Sequence, residues 1–326
     1  CAPSRAACCS NMADIYPFAR PLYVMAKAAG PQCNLRCRYC YYTEKQNLFA
    51  GGSCGMSREM LEQFVQRYIE VQQMPDIQFT WHGGEPLLRP LSFYQDAVRF
   101  QRYYGRGKRI DNCLQTNGLL LTPEWCRFLA QEHWLVGLSI DGTQAMHDAY
   151  RLDAAGRGTW ERVMRAIEML NEYGVEWNAM ATVNQANVHE PLAFYRFFRD
   201  SVGCRFLQFT PVVERETRHA DGRHLAQMLD EECPLAPYSV KPAEWGSFLC
   251  AVFDEWVRHD VGEMFVQIFD ATLAGWMGVQ PGVCAYAEEC GHAMVMEHNG
   301  DLYPCDHFVF PEYRLGNLLR EGLPQM

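Results

Sequence analysis

Cys33-Asn-Leu-Arg-Cys37-Arg-Tyr-Cys40-Tyr-Tyr42 places three cysteines in a C-x3-C-x2-C spacing, directly after the strand-like run Leu22-Tyr-Val-Met-Ala-Lys-Ala28. A loop this short brings three thiolates to one point, and sulfur ligands favour zinc or an iron–sulfur cluster. A closed zinc site or an ordinary four-iron cluster takes a fourth protein ligand, and none follows at a matching spacing. The triplet leaves two readings open. One is a zinc knuckle completed by a distant ligand; the other is a four-iron cluster with one iron free to bind a small molecule.

Working outward, the chain alternates between strand and helix patterns. Ser57 reads as an N-cap with Glu59 in the first turn, ahead of Met60, Leu61, Phe64, Val65, Tyr68 and Ile69 at helical spacing. A strand at Ile77–Trp81 and a helix at 91–103 follow, then a strand ending at Asn117-Gly118 and a helix capped by Thr122 with Pro123 at its first position. Leu135–Ile140, a helix over 159–173, Trp177–Val183, a helix over 191–201 and Phe206–Val213 continue the alternation. Six such repeats predict an α/β fold with a parallel sheet curled into a partial (β/α)6 TIM-type barrel, its chemistry at the C-terminal ends of the strands. Residues 214–242 read as a long polar surface segment and 242–258 as an amphipathic helix. The domain reading is a tail over 1–20, a barrel over 21–255 and a small cysteine-rich unit over 256–326. That last unit contains a hairpin at Glu297-His-Asn-Gly-Asp-Leu-Tyr303.

Several motifs sit where a barrel does its chemistry. In His82-Gly83-Gly84-Glu85-Pro86 the glycines would let a ligand approach the backbone, and Glu85 could accept hydrogen bonds from an amine. Asn117-Gly118 reads as turn chemistry. Cys284-x5-Cys290-x14-Cys305 is a second metal-ligand set, open to zinc as well as to iron and sulfur. Asp306 follows a ligand directly; it could accept a proton at the barrel mouth, or orient His307, or cap a turn. Cys126, Cys204 and Cys250 lie on apolar elements and read as core.

Composition narrows the function classes. The 326 residues carry a formal net charge of −10, which gives no basic footprint for a phosphate backbone, so nucleic acid is not an expected partner. No apolar run spans a bilayer and no secretion signal is recognisable, so no membrane association and a cytoplasmic location are expected. Fifteen cysteines in such a chain indicate reduced thiols and metal ligation.

Taken together, CNLRCRYCYY (33–42), FTWHGGEPLL (79–88), QTNG (115–118), LSIDG (138–142), GVCAYAEEC (282–290) and NGDLYPCDHF (299–308) resemble one family. The chain is similar to the anaerobic sulfatase-maturating enzymes, radical S-adenosylmethionine (SAM) proteins with a C-terminal SPASM domain. The resemblance implies a [4Fe-4S] cluster on Cys33, Cys37 and Cys40. It implies SAM contacts from Tyr39, Gly83, Gly84 and Glu85, and from Ser139 and Arg151, which in the family hold the ribose and carboxylate of SAM. It implies auxiliary [4Fe-4S] chemistry at Cys284, Cys290 and Cys305. The family continues beyond the point corresponding to Met326, so a truncated SPASM-like unit is expected, with the fourth ligand of the first auxiliary cluster and all ligands of a second outside this chain. The implied reaction is oxidation of a cysteine or serine in a sulfatase to Cα-formylglycine by a 5′-deoxyadenosyl radical, with Asp306 taking the substrate proton. The implied partners are an unfolded sulfatase segment with a C/S-x-P/A-x-R motif and an electron donor such as flavodoxin or ferredoxin. Cys1-Ala-Pro-Ser-Arg5 itself fits that motif. Two rival readings remain from the residues: a SPASM enzyme that forms thioether or other crosslinks in peptides, and a non-catalytic zinc-binding module.

Overall fold

Alternation along the strands decides the layers. The computed structural model describes residues 22–49, 55–216, 232–288 and 293–323, so the Cys1–Arg5 motif, His219 and Cys290 lie outside the described residues. In chain order the first half comprises β1 (Tyr23–Lys27), α1 (Arg58–Val71), β2 (Asp76–His82), α2 (Leu91–Tyr104), β3 (Arg109–Thr116), α3 (Pro123–Gln131) and β4 (Leu135–Ser139). There follow α4 (Gln144–Asp148), α5 (Trp160–Glu172), β5 (Trp177–Val183), α6 (Pro191–Arg196) and β6 (Phe206–Pro211). β1 to β6 are parallel neighbours in sequence order, as the six repeats predict. On one face Ile77, Phe79, Trp81, Val136, Leu138 and Ala179 are buried in the main core, against the helices. On the other face the same strands carry Thr80, His82, Gln115, Ser139, Thr182 and Gln208. A parallel sheet covered by helices on both sides would be apolar on both. A polar inner face is what a half-barrel that holds a ligand requires.

The helix starts follow their capping chemistry. The Ser57 hydroxyl accepts from the Met60 N–H at 3.1 Å and the Thr122 hydroxyl from the Trp125 N–H at 3.3 Å. The segment expected as one helix over 191–201 is instead α6 followed by a π-turn over Phe197–Val202, closed by Gly203 at φ 67°. Cys126 and Cys204 are buried as expected, whereas Cys250 is exposed. It belongs to the solvent face of α7 (Pro242–His259), whose buried residues are Phe248, Val252 and Trp256.

Both edges of the barrel are extended, one by a two-residue strand that patterning does not reveal and the other by a flap built on the hairpin expected at Glu297–Tyr303. β7 (Phe265–Val266) pairs with β6 and leads into α8 (Gln267–Trp276). At the other edge β8 (Ala293–Glu297) lies parallel to β1, and β9 (Asp301–Tyr303) and β10 (Gly316–Asn317) complete an antiparallel flap. The result is one ten-stranded sheet in the order β10-β9-β8-β1-β2-β3-β4-β5-β6-β7. The sequence changes character at 255/256, but the sheet is continuous across that point. An uncovered β1 would leave a row of unpaired backbone groups, and β8 satisfies them. Among the described residues no helix is long and apolar enough to cross a membrane.

Trp81 anchors the packing. Its ring is stacked on Trp134 at 6.3 Å, meets Tyr94 edge-on at 5.6 Å, and donates its indole N–H to Asn112 Oδ1 at 2.9 Å. Trp81→Ala should therefore cost about 3–5 kcal/mol of apo-protein stability, read by urea unfolding.

Candidate active site at the C-terminal ends of the strands

The cysteine loop leaves β1 and is clamped on two sides. Gly84 N–H donates to Gly30 O at 2.8 Å and Glu85 N–H to Gln32 O at 2.7 Å, while Arg36 and Arg38 N–H groups donate to Leu152 O and Tyr150 O at 2.8 and 3.0 Å. A Cβ on Gly84 would lie 1.9 Å from Gln32 O. The close approach that the Gly-Gly pair was expected to give a ligand is thus already used by the chain's own Pro31-Gln32 segment. Gly83, at φ 127°, makes the turn that reaches it.

The three thiols share one loop and feel one another electrostatically. Burial pushes Cys33 up to about 11 and Cys37 up to about 12, and the neighbouring thiolates add to both. Sulfur-directed donors surround them: Leu35 N–H reaches Cys33 Sγ at 3.3 Å and the Thr43 hydroxyl reaches Cys40 Sγ at 3.1 Å. Buried thiols held together at this cost suit a metal centre, whose positive charge favours the thiolate form. The donor set, three sulfurs from a C-x3-C-x2-C loop, fits a four-iron cluster with one iron unligated by protein.

Residues predicted for SAM line the same rim. Glu85 is buried, and three of its acceptor positions are used, by Leu87 N–H at 2.9 Å, the Thr116 hydroxyl at 2.7 Å and Asn117 N–H at 2.9 Å. Burial raises it to about 7 despite those bonds, so an ammonium at the remaining position would suit it. Asn117, expected as turn chemistry, in addition holds the loop: its side-chain amide donates to Asn34 Oδ1 at 2.8 Å and lies 3.7 Å from Cys33 Sγ. The Ser139 hydroxyl accepts from Gln115 Nε2 at 3.1 Å. Arg151 is buried and paired with Asp141 at 3.0 Å, its guanidinium 5.7 Å from the Tyr39 ring centre. Tyr39 also donates to Asp141, whose other oxygen accepts from Thr182 N–H at 2.9 Å. Asp141 thus ties the cysteine loop to β5. Behind it, His147 Nδ1 accepts from Asp141 N–H at 3.3 Å, and Nε2 lies 3.0 Å from the Thr159 hydroxyl. That hydroxyl donates to Arg151 O at 2.9 Å, so Nε2 carries the hydrogen and the ring is neutral.

The flap brings Asp306 to the opposite side of the loop. Its Oδ2 accepts from the Tyr41 hydroxyl at 2.7 Å and lies 3.5 Å from Lys27 Nζ, while Cys305 Sγ is 3.5 Å from Oδ1. Burial alone would raise Asp306; Lys27, His307, His82 and the Tyr41 hydrogen bond more than offset it and hold the group well below the usual carboxylate range. Lys27, fully buried, also contacts His82 Nδ1 at 3.3 Å and sits 4.3 Å from the Tyr42 ring centre. His82, kept neutral by burial and by Lys27, is lowered to about 3. Lys45 Nζ donates to the carbonyls of Asp306 and His307 at 2.9 and 3.1 Å, and the His307 ring stacks on Tyr41 at 4.6 Å. Sequence reasoning missed Lys27, Lys45, Tyr41 and Asp141. A lysine closing the otherwise apolar run Val24-Met-Ala-Lys27 was the available signal. Of the second ligand set, Cys305 and Cys284 are near enough for the Cys284 charge to raise Cys305.

The Radical SAM superfamily model matches residues 29–198, so fold and cysteine loop define a radical SAM protein. The chain is 57% identical over 312 residues to the serine-type anaerobic sulfatase-maturating enzyme of Bacteroides thetaiotaomicron, covering 95% of this chain and 75% of that protein. It is 34% identical over 302 residues to the cysteine-type enzyme of Clostridium novyi, covering 91% and 76%. The solved structure of native anSMEcpe with bound AdoMet and Cp18Cys peptide superposes with a TM-score of 0.76 at 30% identity, covering 92% and 78% of the two chains. The chain belongs to the anaerobic sulfatase-maturating enzymes, and is accordingly a radical SAM oxidoreductase.

Two outcomes follow from this geometry. Gly84→Ala should lower the iron bound per chain after anaerobic reconstitution while leaving the far-UV circular dichroism unchanged, because the added methyl meets backbone rather than a movable side chain. His147, lowered by burial to about 4, takes up its proton in the unfolded chain first as pH falls. Its contribution to stability is complete above pH ~6.5 and is lost as pH falls towards 4. The drop in urea midpoint between pH 7 and pH 5 should be smaller in His147→Gln.

Proposed function

We propose that this enzyme oxidises a serine or cysteine side chain in a sulfatase segment to Cα-formylglycine. The observation that carries the reading is the Asp306 carboxylate, held by Tyr41 and Lys27 beside the cysteine loop at the barrel mouth. When bound, the cluster on Cys33, Cys37 and Cys40 together with SAM supplies the one-electron chemistry that removes a hydrogen atom from the substrate Cβ. Glu85 would hold the methionine end of SAM, its free acceptor position turned to the ammonium, with Gly83 and Gly84 acting by setting the place of Glu85 and the cysteine loop. Arg151, Ser139 and Tyr39 would hold the rest, and Asp141 orients Arg151 and Tyr39.

The residues of this chain account for the proton. Oxidation of a CH2–OH group to an aldehyde removes one hydrogen atom, one proton and one electron; Asp306 accepts the proton from the hydroxyl. A cysteine gives a thioaldehyde, which water converts to the aldehyde with release of sulfide. Lys27 keeps the carboxylate ionised, so that it is free to accept a proton when the substrate arrives, at the cost of some basicity. Cys284, Cys290 and Cys305 would contribute to an auxiliary cluster that takes the remaining electron, supported by the nearness of Cys284 to Cys305, whose thiol it helps to raise. The greater identity to the serine-type relative supports serine as the target.

The test is anaerobic incubation of the reconstituted protein with SAM, a chemical reductant and a pair of peptides differing only in Ser or Cys at the target position. Loss of two hydrogens from the serine peptide, with release of 5′-deoxyadenosine, is the expected result; deoxyadenosine without peptide oxidation, or a crosslinked peptide, would exclude it. Asp306→Asn should lower kcat for peptide oxidation by roughly 10²-fold or more. It should leave iron content and uncoupled SAM cleavage in place.

A further inference from the structure

When a hydroxyl gives its proton to Asp306, the oxygen left behind gains negative charge, and a hydrogen-bond donor facing Asp306 would stabilise it. Most side chains around Asp306 are already engaged. Tyr41 donates its hydroxyl hydrogen to Oδ2 at 2.7 Å, and Lys27 Nζ is shared between Asp306 at 3.5 Å, His82 Nδ1 at 3.3 Å and the Tyr42 ring. The His307 ring is stacked on Tyr41. His82 differs. It is the last residue of β2, half-buried on the polar inner face at the C-terminal end of the strand. Its Nδ1 accepts twice, from Lys27 Nζ and from the Gly83 N–H at 2.7 Å. A ring nitrogen that accepts carries no hydrogen of its own, so this neutral histidine is protonated on Nε2. That Nε2–H has no hydrogen-bond partner among the described residues and is not sealed in the core, which leaves it open to the barrel mouth. His82 and Asp306 are near enough for each to feel the other's charge.

We propose that His82 Nε2–H donates a hydrogen bond to the side-chain oxygen of the target residue, opposite Asp306, and thereby favours serine over cysteine. The inference deepens the reaction proposed above and rests on it. Lys27 and the Gly83 N–H fix the tautomer, so the donor is in place before the substrate arrives. The hydroxyl proton passes to Asp306, a hydrogen atom leaves Cβ in the radical step, and the remaining electron leaves for the auxiliary iron–sulfur centre as the C=O bond forms. The His82 hydrogen stays on Nε2 throughout. A hydrogen bond to a charged oxygen is roughly twice as strong as one between neutral groups, whereas sulfur is a weak acceptor. A thiol also needs less help, since its ordinary pKa of about 8.5 lies far below that of an alcohol. The donor therefore matters for serine and little for cysteine.

The test uses peptides that differ only in Ser, Cys or Ala at the target position, with the reconstituted parent protein and two variants. His82→Leu removes the donor; His82→Gln keeps an acceptor for Lys27 and an N–H donor. Rates are expressed per mole of bound cluster, so that differences in loading cancel. His82→Leu should lower kcat for the serine peptide by roughly 10²-fold and for the cysteine peptide by less than about tenfold. Loss of the Lys27 contact alone would slow both peptides alike, and His82→Gln should recover most of the serine turnover. With SAM present and no reductant, fluorescence anisotropy gives the affinity of the serine peptide relative to the alanine peptide. That ratio should narrow by about fivefold in His82→Leu. Equal losses on the two substrates, no recovery in His82→Gln, or an unchanged serine-to-alanine ratio would each overturn the proposal. A parent protein that oxidises neither peptide would refute the underlying reaction, and the affinity ratio, which needs no turnover, would still decide the hydrogen bond.

Discussion

The backbone clamp between the end of β2 and the entry to the cysteine loop is the constraint on which the site depends. Two hydrogen bonds, Gly84 to Gly30 and Glu85 to Gln32, can form only because residue 84 lacks a side chain. They bring the thiol loop over the ends of β2 and β3, and they place Glu85 where its carboxylate is fastened to Thr116 and Asn117. One contact thus sets the height of the loop above the sheet and the position of the acidic group beside it. Backbone hydrogen bonds suit this purpose, since they fix geometry without a flexible side chain.

Two buried ionic groups flank the clamped loop and keep its aromatic residues in place. On one side Asp141 holds Arg151 and Tyr39; on the other Asp306 holds Lys27 and Tyr41. Buried ion pairs are poor sources of net stability, because desolvation offsets their attraction. Their worth here is positional: each supplies a charged group of fixed orientation in largely buried surroundings, which is where charge acts most strongly. The neutral histidines behind them, His82 and His147, complete the hydrogen bonding without adding a second positive charge.

The flap explains how a residue near the C-terminal end of the chain reaches a loop near its start. β8 takes the free edge of β1 in parallel register, Val24 opposite Met294 and Lys27 opposite Glu297. That register puts the hairpin's return strand and the turn after it directly over the cysteine loop. Edge pairing thus satisfies β1 and delivers Asp306 in the same step, and Lys45 secures the delivery by binding the carbonyls of Asp306 and His307.

The amino-acid sequence by itself determined the parallel half-barrel and the cysteine loop, because period-2 and period-3.6 patterns, N-caps and close ligand spacing are local properties. It also pointed to Glu85 and Asp306 through motifs, and to Arg151 through the family resemblance. Only the tertiary structure decided what Gly84 is for, that Asn117 holds the loop as well as making a turn, that Cys250 faces solvent, and that β7 and the flap extend one sheet. It likewise revealed Lys27 and Asp141 as the partners of Asp306 and Arg151. Those facts depend on residues far apart in the chain meeting in space. A two-residue strand, or one lysine in an apolar run, carries too little local pattern to announce such a meeting.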